Sequence, residues 1–180
     1  MNVPALAALL DAGVQISVNQ VQFSLLDRRP LNGMTRFCSE RGIKLLTYGT
    51  VAGGLLSDKY AAPAARVNLD TSSLKMYMRT IELGGGQDAW RALLAVLRGI
   101  AVARSCTVSA VALRWAMDQA PGIVHPIVGT RNATHIQDTL ASSLSLQLTQ
   151  EDANSLSAVL KERFKVPRGD CYSAERGEEF

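Results

Sequence analysis

Three apolar, β-branched runs are spaced along the chain: QISVNQVQFS (15–24), IKLLTYG (43–49) and IVHPIVGT (123–130), with helix-patterned residues between and after them. This alternation restricts the fold more than any other feature. Strands joined by helical crossovers pair in parallel, and near-continuous apolar strand segments belong to sheets covered on both faces. Each run also ends in polar or glycine-rich residues. In α/β proteins, ligand sites lie just past the C-terminal ends of the strands. The expectation is an α/β fold of βαβ units, with any site at that end of the sheet.

The segments between the runs support this reading. Residues 3–11 have helical spacing and meet a stop at Gly13. LLDRRPLNG (25–33) is a loop, because Pro30 and the Asn32-Gly33 pair break regular structure. MTRFCSERG (34–42) follows as a helix ended by Gly42. Residues 49–88, with Pro63 and the Gly84-Gly85-Gly86 run, are the least regular and are expected to be a functional or mobile loop with one short helix. Trp90, Leu93, Leu94, Leu97, Ile100 and Ala101 then recur at helical spacing. Thr107 or Ser109 caps a helix ended by Pro121-Gly122, and ATHIQDTLASSL (133–144) is a helix behind the third run. Thr149 opens a last helix with Asp152 three residues on, a capping-box pattern. The tail from Val166 is polar and expected to be weakly ordered, with Tyr172 available to pin it.

A chain of 180 residues is long enough for one domain with a sizeable core. Its apolar fraction of 47% and charged fraction of 19% are ordinary for a globular protein. The net charge of +3 is weak, and Arg28, Arg29, Arg91, Arg98, Arg104 and Arg114 are scattered, which argues against a nucleic-acid partner. Cys38, Cys106 and Cys171 lie far apart without metal-ligand spacing, so reduced thiols in a reducing, by default cytoplasmic, compartment are expected. The N-terminal apolar run lacks a basic flank and suits a helix, not a signal peptide. No apolar stretch reaches the roughly 20 residues needed to cross a bilayer, so membrane insertion is not expected.

Candidate site residues cluster after the three runs. Asn19 and Gln20 are adjacent carboxamides that a core cannot satisfy together, so one is expected to face a ligand and the other backbone; the alternative is that both tie down a loop. Tyr48 ends the second run, where its ring can stack on a flat heterocycle or sit in a core. Gly49, Gly53 and Gly54 permit close backbone approach to a ligand, though without a phosphate-loop pattern. The third run leads into Gly129-Thr130-Arg131-Asn132 at a helix start, a combination of backbone N–H groups and a guanidinium that suits an anion; a surface arginine is the alternative. His135, Asp138 and Thr139 follow on the first turns of that helix, and His125, before Pro126, reads as structural. No nucleophile set, carboxylate pair or metal cluster is evident, and Cys38, Trp90 and Trp115 read as core.

Taken together, these segments resemble the aldo-keto reductase family. VNQVQFSLLDRRP (18–30) is similar to its sixth barrel strand and following loop, and TYGTVAGGLLSDKY (47–60) to its seventh strand and the loop that covers the cofactor. PIVGTRNATHIQDTL (126–140) is similar to the eighth strand and the helix that grips the adenosine phosphate, and VSAVALRWAMDQ (108–119) to the helix before it. The resemblance runs from Asn2 to about Lys161. It implies part of a (β/α)8 TIM barrel over 1–165, about strands six to eight with their helices, followed by a tail, 166–180.

The resemblance also implies carbonyl reduction with NADPH. Gln20 would hold the nicotinamide carboxamide, Tyr48 would stack on the ring, and Val51 and Gly53 would lie beside the pyrophosphate. Thr130, Arg131 and Asn132 would form the phosphate turn, with His135, Asp138 and Thr139 near the adenosine. His135 stands where the family often has arginine, and Thr139 where it often has asparagine. The family's proton-donating Asp, Tyr, Lys and His belong to the first four strands, outside this sequence, so no catalytic residue is assigned and the chain alone is expected to be inactive. Three strands of an eight-stranded barrel leave edges and a face to be covered, by the N-terminal barrel half or by another protein. Two functions fit: the cofactor-binding part of a reductase acting on a small carbonyl compound, or a non-catalytic subunit or assembly protein. For the former, Met76, Tyr77 and Met78 are possible substrate lining.

Overall fold

Strands β1 (Val18–Gln22), β2 (Lys44–Tyr48) and β3 (Val124–Pro126) form a parallel sheet in the order β1-β2-β3. The structure, a computed structural model, describes residues 1–62, 66–129 and 142–173. Helices α1 (Val3–Asp11) and α2 (Met34–Arg41) flank β1, and the short α3 (Asp58–Ala61) follows β2. Then come α4 (Ser72–Gly84), α5 (Gly86–Ala103), α6 (Val108–Asp118) and, after β3, α7 (Gln150–Arg163). Over the described residues this is the expected α/β order; most of the helix expected at 133–144 lies outside them. β3 spans three residues, and Ile127 adds one further bond, its N–H donating to the Thr47 carbonyl at 2.8 Å; Pro126 is tolerated because strand alternation turns its missing N–H away from β2.

The sheet is covered on one face. Asn19, Val21, Leu45, Thr47 and Val124 are buried beneath the helices. Register places Gln20 beside Leu46 and Leu46 beside His125, and this second face is open: Val18, Gln20, Lys44 and His125 are exposed, and Leu46 and Tyr48 half-buried. Apolar runs suited to two covered faces therefore have a cover on only one. His125, read from sequence as structural, lies exposed on the open side.

The 49–88 segment holds more helix than its sequence leads one to expect. α4 spans 13 residues, starts where the Thr71 hydroxyl accepts from the Leu74 N–H at 3.2 Å, and ends against Gly85. Leu74, Tyr77, Met78 and Ile81 recur at i, i+3, i+4 and i+7 and pack inward, the periodicity that reveals an amphipathic helix. The pattern is short and sits between Pro63 and three glycines, which read as breakers.

The core between sheet and helices centres on Trp90, Phe23, Leu55 and Leu93, all fully buried. Trp90 Nε1 donates to the Leu55 carbonyl at 3.1 Å, tying α5 to the segment after β2. Cys38 and Cys171 are buried thiols; burial pushes their pKa values up to about 11 and about 12, so both stay protonated and poorly reactive near neutrality. The tail is held as far as residue 173. Asn32 Nδ2 donates to the Pro167 and Gly169 carbonyls at 3.0 and 2.9 Å, Arg28 to the Lys165 carbonyl at 3.1 Å, and Tyr172 Oη to the Gln20 carbonyl at 2.7 Å. No single helix among the described residues is long and apolar enough to cross a membrane.

Candidate cofactor site

The adjacent carboxamides separate as strand geometry requires, because successive side chains point to opposite faces. Asn19 turns into the covered side, where its Nδ2 donates to the Met1 carbonyl at 2.9 Å and its Oδ1 accepts from the terminal amine at 2.8 Å. Gln20 turns to the open face. Two positions further on along the neighbouring strand, Tyr48 ends β2 on that same face, with register pairing Gln20 to Leu46 and Gln22 to Tyr48. A carboxamide and an aromatic ring thus share one open surface near the C-terminal end of the sheet.

The turn after Tyr48 is built from glycines in left-handed conformation, Gly49 at φ 70°, Gly53 at φ 63° and Gly54 at φ 97°. The Ala52 N–H donates to the Gly49 carbonyl at 2.8 Å and the Gly54 N–H to the Val51 carbonyl at 2.9 Å. Thr50 faces inward, its hydroxyl donating to the Thr47 carbonyl at 3.3 Å. Among the described residues, the Thr50 and Val51 backbone N–H groups have no acceptor. Successive unsatisfied N–H groups in a turn with left-handed residues form a concavity suited to an anion. This donor pair was not singled out from sequence; only the glycines hinted at it.

The residue that approaches the glycines closely is Tyr77 of α4, which is 8% exposed. A Cβ at Gly49 would stand 2.6 Å from Tyr77 Oη and 2.8 Å from Cε1, and one at Gly53 would stand 3.1 Å from Cδ2. Met76, one residue away, is exposed, whereas Met78 is buried, so these three neighbours do not form a common lining. Burial pushes the Tyr77 phenol pKa up, leaving it neutral near pH 7. Thr130, Arg131, Asn132, His135, Asp138 and Thr139 lie outside the described residues.

The loop after β1 holds a buried ion pair. In the segment after β1, Asp27 accepts from Arg29 Nε at 2.9 Å and from its terminal nitrogen at 2.7 Å, with both side chains buried. Its signal was only an Asp-Arg-Arg-Pro string.

The model of the Aldo/keto reductase family matches residues 3–161, most of the chain. The chain belongs to the aldo/keto reductase family. Members of this family generally use NAD(P)H. Among curated relatives, the chain is 36% identical over 135 residues to flagellar radial spoke protein 5 of Chlamydomonas reinhardtii, covering 73% of this chain and 25% of that protein. It is 32% identical over 151 residues to the chloroplastic pyridoxal reductase of Arabidopsis thaliana, covering 83% of this chain and 38% of the reductase. A glycerol dehydrogenase from Gluconobacter oxydans superposes with a TM-score of 0.74 at 19% identity, over 92% of this chain and 49% of that one. An aldo-keto reductase from Bacillus halodurans superposes with a TM-score of 0.57 at 19% identity, over 88% and 48%. This aldo/keto reductase-family chain therefore spans about half the length of the solved structures it matches and less of its curated relatives, and its three-stranded parallel sheet is part of a TIM-barrel-like fold.

Proposed function

We propose that this chain is the C-terminal, cofactor-binding part of an NADPH-dependent aldo-keto reductase, and that barrel strands outside these 180 residues supply the proton-donating Asp, Tyr, Lys and His. The observation that carries this reading is the grouping at one end of the sheet: the Gln20 carboxamide, the Tyr48 ring and the acceptor-free Thr50 and Val51 N–H groups. A nicotinamide dinucleotide presents the complementary parts, a flat ring, a carboxamide and a pyrophosphate. NADPH bound there would supply a hydride for reduction of a carbonyl carbon. Gln20 would pair with the nicotinamide carboxamide, Tyr48 would cover one face of the ring, and the turn beside Gly53 would receive the pyrophosphate. Arg131, with Thr130 and Asn132, would favour the 2′-phosphate, and His135, Asp138 and Thr139 would lie near the adenosine. The open sheet face would be covered by the N-terminal barrel half, and the substrate would be a small carbonyl compound.

Titration of the chain with NADPH, followed by nicotinamide fluorescence with and without a polypeptide bearing the first five strands, tests the reading. Binding that Gln20→Ala weakens supports it, and turnover that requires the added half completes it. Failure to bind NADPH in both arms overturns it. Turnover by the isolated chain shows that a proton donor lies within the 180 residues.

The likeness to a radial spoke protein favours a second reading, a non-catalytic subunit whose open face is covered by an unrelated partner. That reading expects a stable complex with no cofactor dependence. A well-folded monomer that binds no apolar-surface dye rules it out.

A further inference from the structure

We infer that Tyr77 is a positioning residue for the cofactor turn: its ring, wedged against Gly49 and Gly53, holds the Thr50 and Val51 N–H groups in the array that receives the pyrophosphate. This rests on the cofactor reading above and adds to it a residue from a helix distant in sequence. The ring touches both ends of the turn, near Gly49 through Oη and Cε1 and near Gly53 through Cδ2 and Cε2. A Cβ at Gly49 would meet the ring at 2.8 Å and its hydroxyl at 2.6 Å, and one at Gly53 would meet the ring at 3.1 Å, whereas a Cβ at the next glycine, Gly54, would meet nothing within 4 Å. Residues 49 and 53 therefore lack side chains where the ring needs the space, and Gly54 answers only to its backbone angle.

The brace is itself fixed. α4 is anchored by the buried Met78 and Ile81, one residue and four residues past Tyr77, and is capped by Thr71. The far side of the turn is fixed by the hydrogen bond from Trp90 to the Leu55 carbonyl. Between these anchors, the two acceptor-free N–H groups lie on a segment whose shape the ring sets. The Tyr77 hydroxyl donates to no acceptor among the described residues, so it meets Gly49 by packing alone, as the ring carbons meet both glycines.

The test uses the full chain, unaltered and as Tyr77→Phe, Tyr77→Leu and Tyr77→Ala. NADPH binding is read by nicotinamide fluorescence, and backbone order by hydrogen exchange at Thr50 and Val51. Phenylalanine is expected to retain affinity and exchange protection. Leucine and alanine are expected to lose about 10- to 100-fold in affinity, the scale of losing one hydrogen bond to a charged group, with faster exchange at both amides. Should the alanine variant fail to fold, the leucine variant decides. Wild-type affinity and exchange in a folded Tyr77→Leu overturn this inference alone. Equal losses in Tyr77→Phe and Tyr77→Leu make the hydroxyl the contact and overturn the ring brace. Absence of NADPH binding by the unaltered chain, alone or with the completing half, overturns the cofactor reading and this inference with it.

Discussion

The Tyr172 hydroxyl donates a 2.7 Å hydrogen bond to the Gln20 carbonyl, on the edge of β1 that faces away from β2. The direction of that edge follows from the ladder. The Ser17 carbonyl accepts from Lys44, and the Phe23 N–H donates to Tyr48. Backbone groups of a strand alternate sides, so the even-numbered Val18, Gln20 and Gln22 present theirs to the free edge. The tail therefore occupies an acceptor that a further parallel strand on that side would use.

Removing this latch should expose an edge that can pair with another chain. Tyr172→Phe removes this bond and the one the hydroxyl accepts from the Met1 amine at 3.0 Å; a cost of about 0.5–1.5 kcal/mol for each is expected, and more for Tyr172→Ala. Both are expected to shift the sedimentation profile towards larger species as concentration rises. Unchanged urea midpoints and sedimentation in Tyr172→Ala would show that the tail does not guard β1.

Asp27 and Arg29 form a buried ion pair at 0% and 2% side-chain exposure, with two guanidinium contacts to the carboxylate and a third from the Arg29 backbone N–H. Arg29→Met strands a buried carboxylate, and destabilisation of about 3–5 kcal/mol is expected from chemical denaturation. Asp27→Leu with Arg29→Met should recover most of that loss, since a buried pair offers little over apolar groups of similar size. A double variant as unstable as the single one would mean that the pair holds the loop by its specific hydrogen bonds.

Local rules made most of the fold legible. The β1 and β2 runs, the Trp90–Ala101 stripe and the Thr149–Asp152 capping box each carry their own period or cap within a few residues, and each stands where expected. The opposite facing of Asn19 and Gln20 was likewise readable, because it follows from the two-residue strand period. What escaped depends on partners far away in sequence. α4 was masked by breakers on both sides, and the wedge of Tyr77 between Gly49 and Gly53 joins residues 24 to 28 positions apart. The exposure of His125 follows from the open sheet face, not from its neighbours Val124 and Pro126.

The three left-handed glycines of the turn should respond differently to alanine. Gly54→Ala carries only the backbone penalty, roughly 1–2 kcal/mol for an L-residue in the left-handed region, because its Cβ meets nothing. Gly49→Ala adds displacement of the Tyr77 ring, 2.6 Å away at its hydroxyl. In double-mutant cycles with Tyr77→Leu, a coupling of about 0.5–3 kcal/mol is expected for Gly49→Ala, the range for residues in contact, and none for Gly54→Ala. Equal coupling at both positions would remove the distinction.

Asp152 links α7 to the end of α5 and should make stability depend on pH on the acid side. Burial pushes its carboxyl pKa up, but hydrogen bonds from the Thr149 backbone and side chain, and the Arg104 guanidinium at 2.9 Å, outweigh burial and hold it below the usual value. A carboxyl whose pKa is lower in the folded state stabilises the fold above its unfolded value, about 3.9 for aspartate. That contribution is lost as pH falls through the lower, folded value. Asp152→Asn should therefore be less stable than the unaltered chain at neutral pH, and the gap should close progressively below about pH 4. Urea midpoints measured across that range check the sign. A gap that stays constant with pH would mean that asparagine merely caps the helix less well. A gap that widens on acidification would reverse the assignment of Asp152 as the carboxylate stabilised by Thr149 and Arg104.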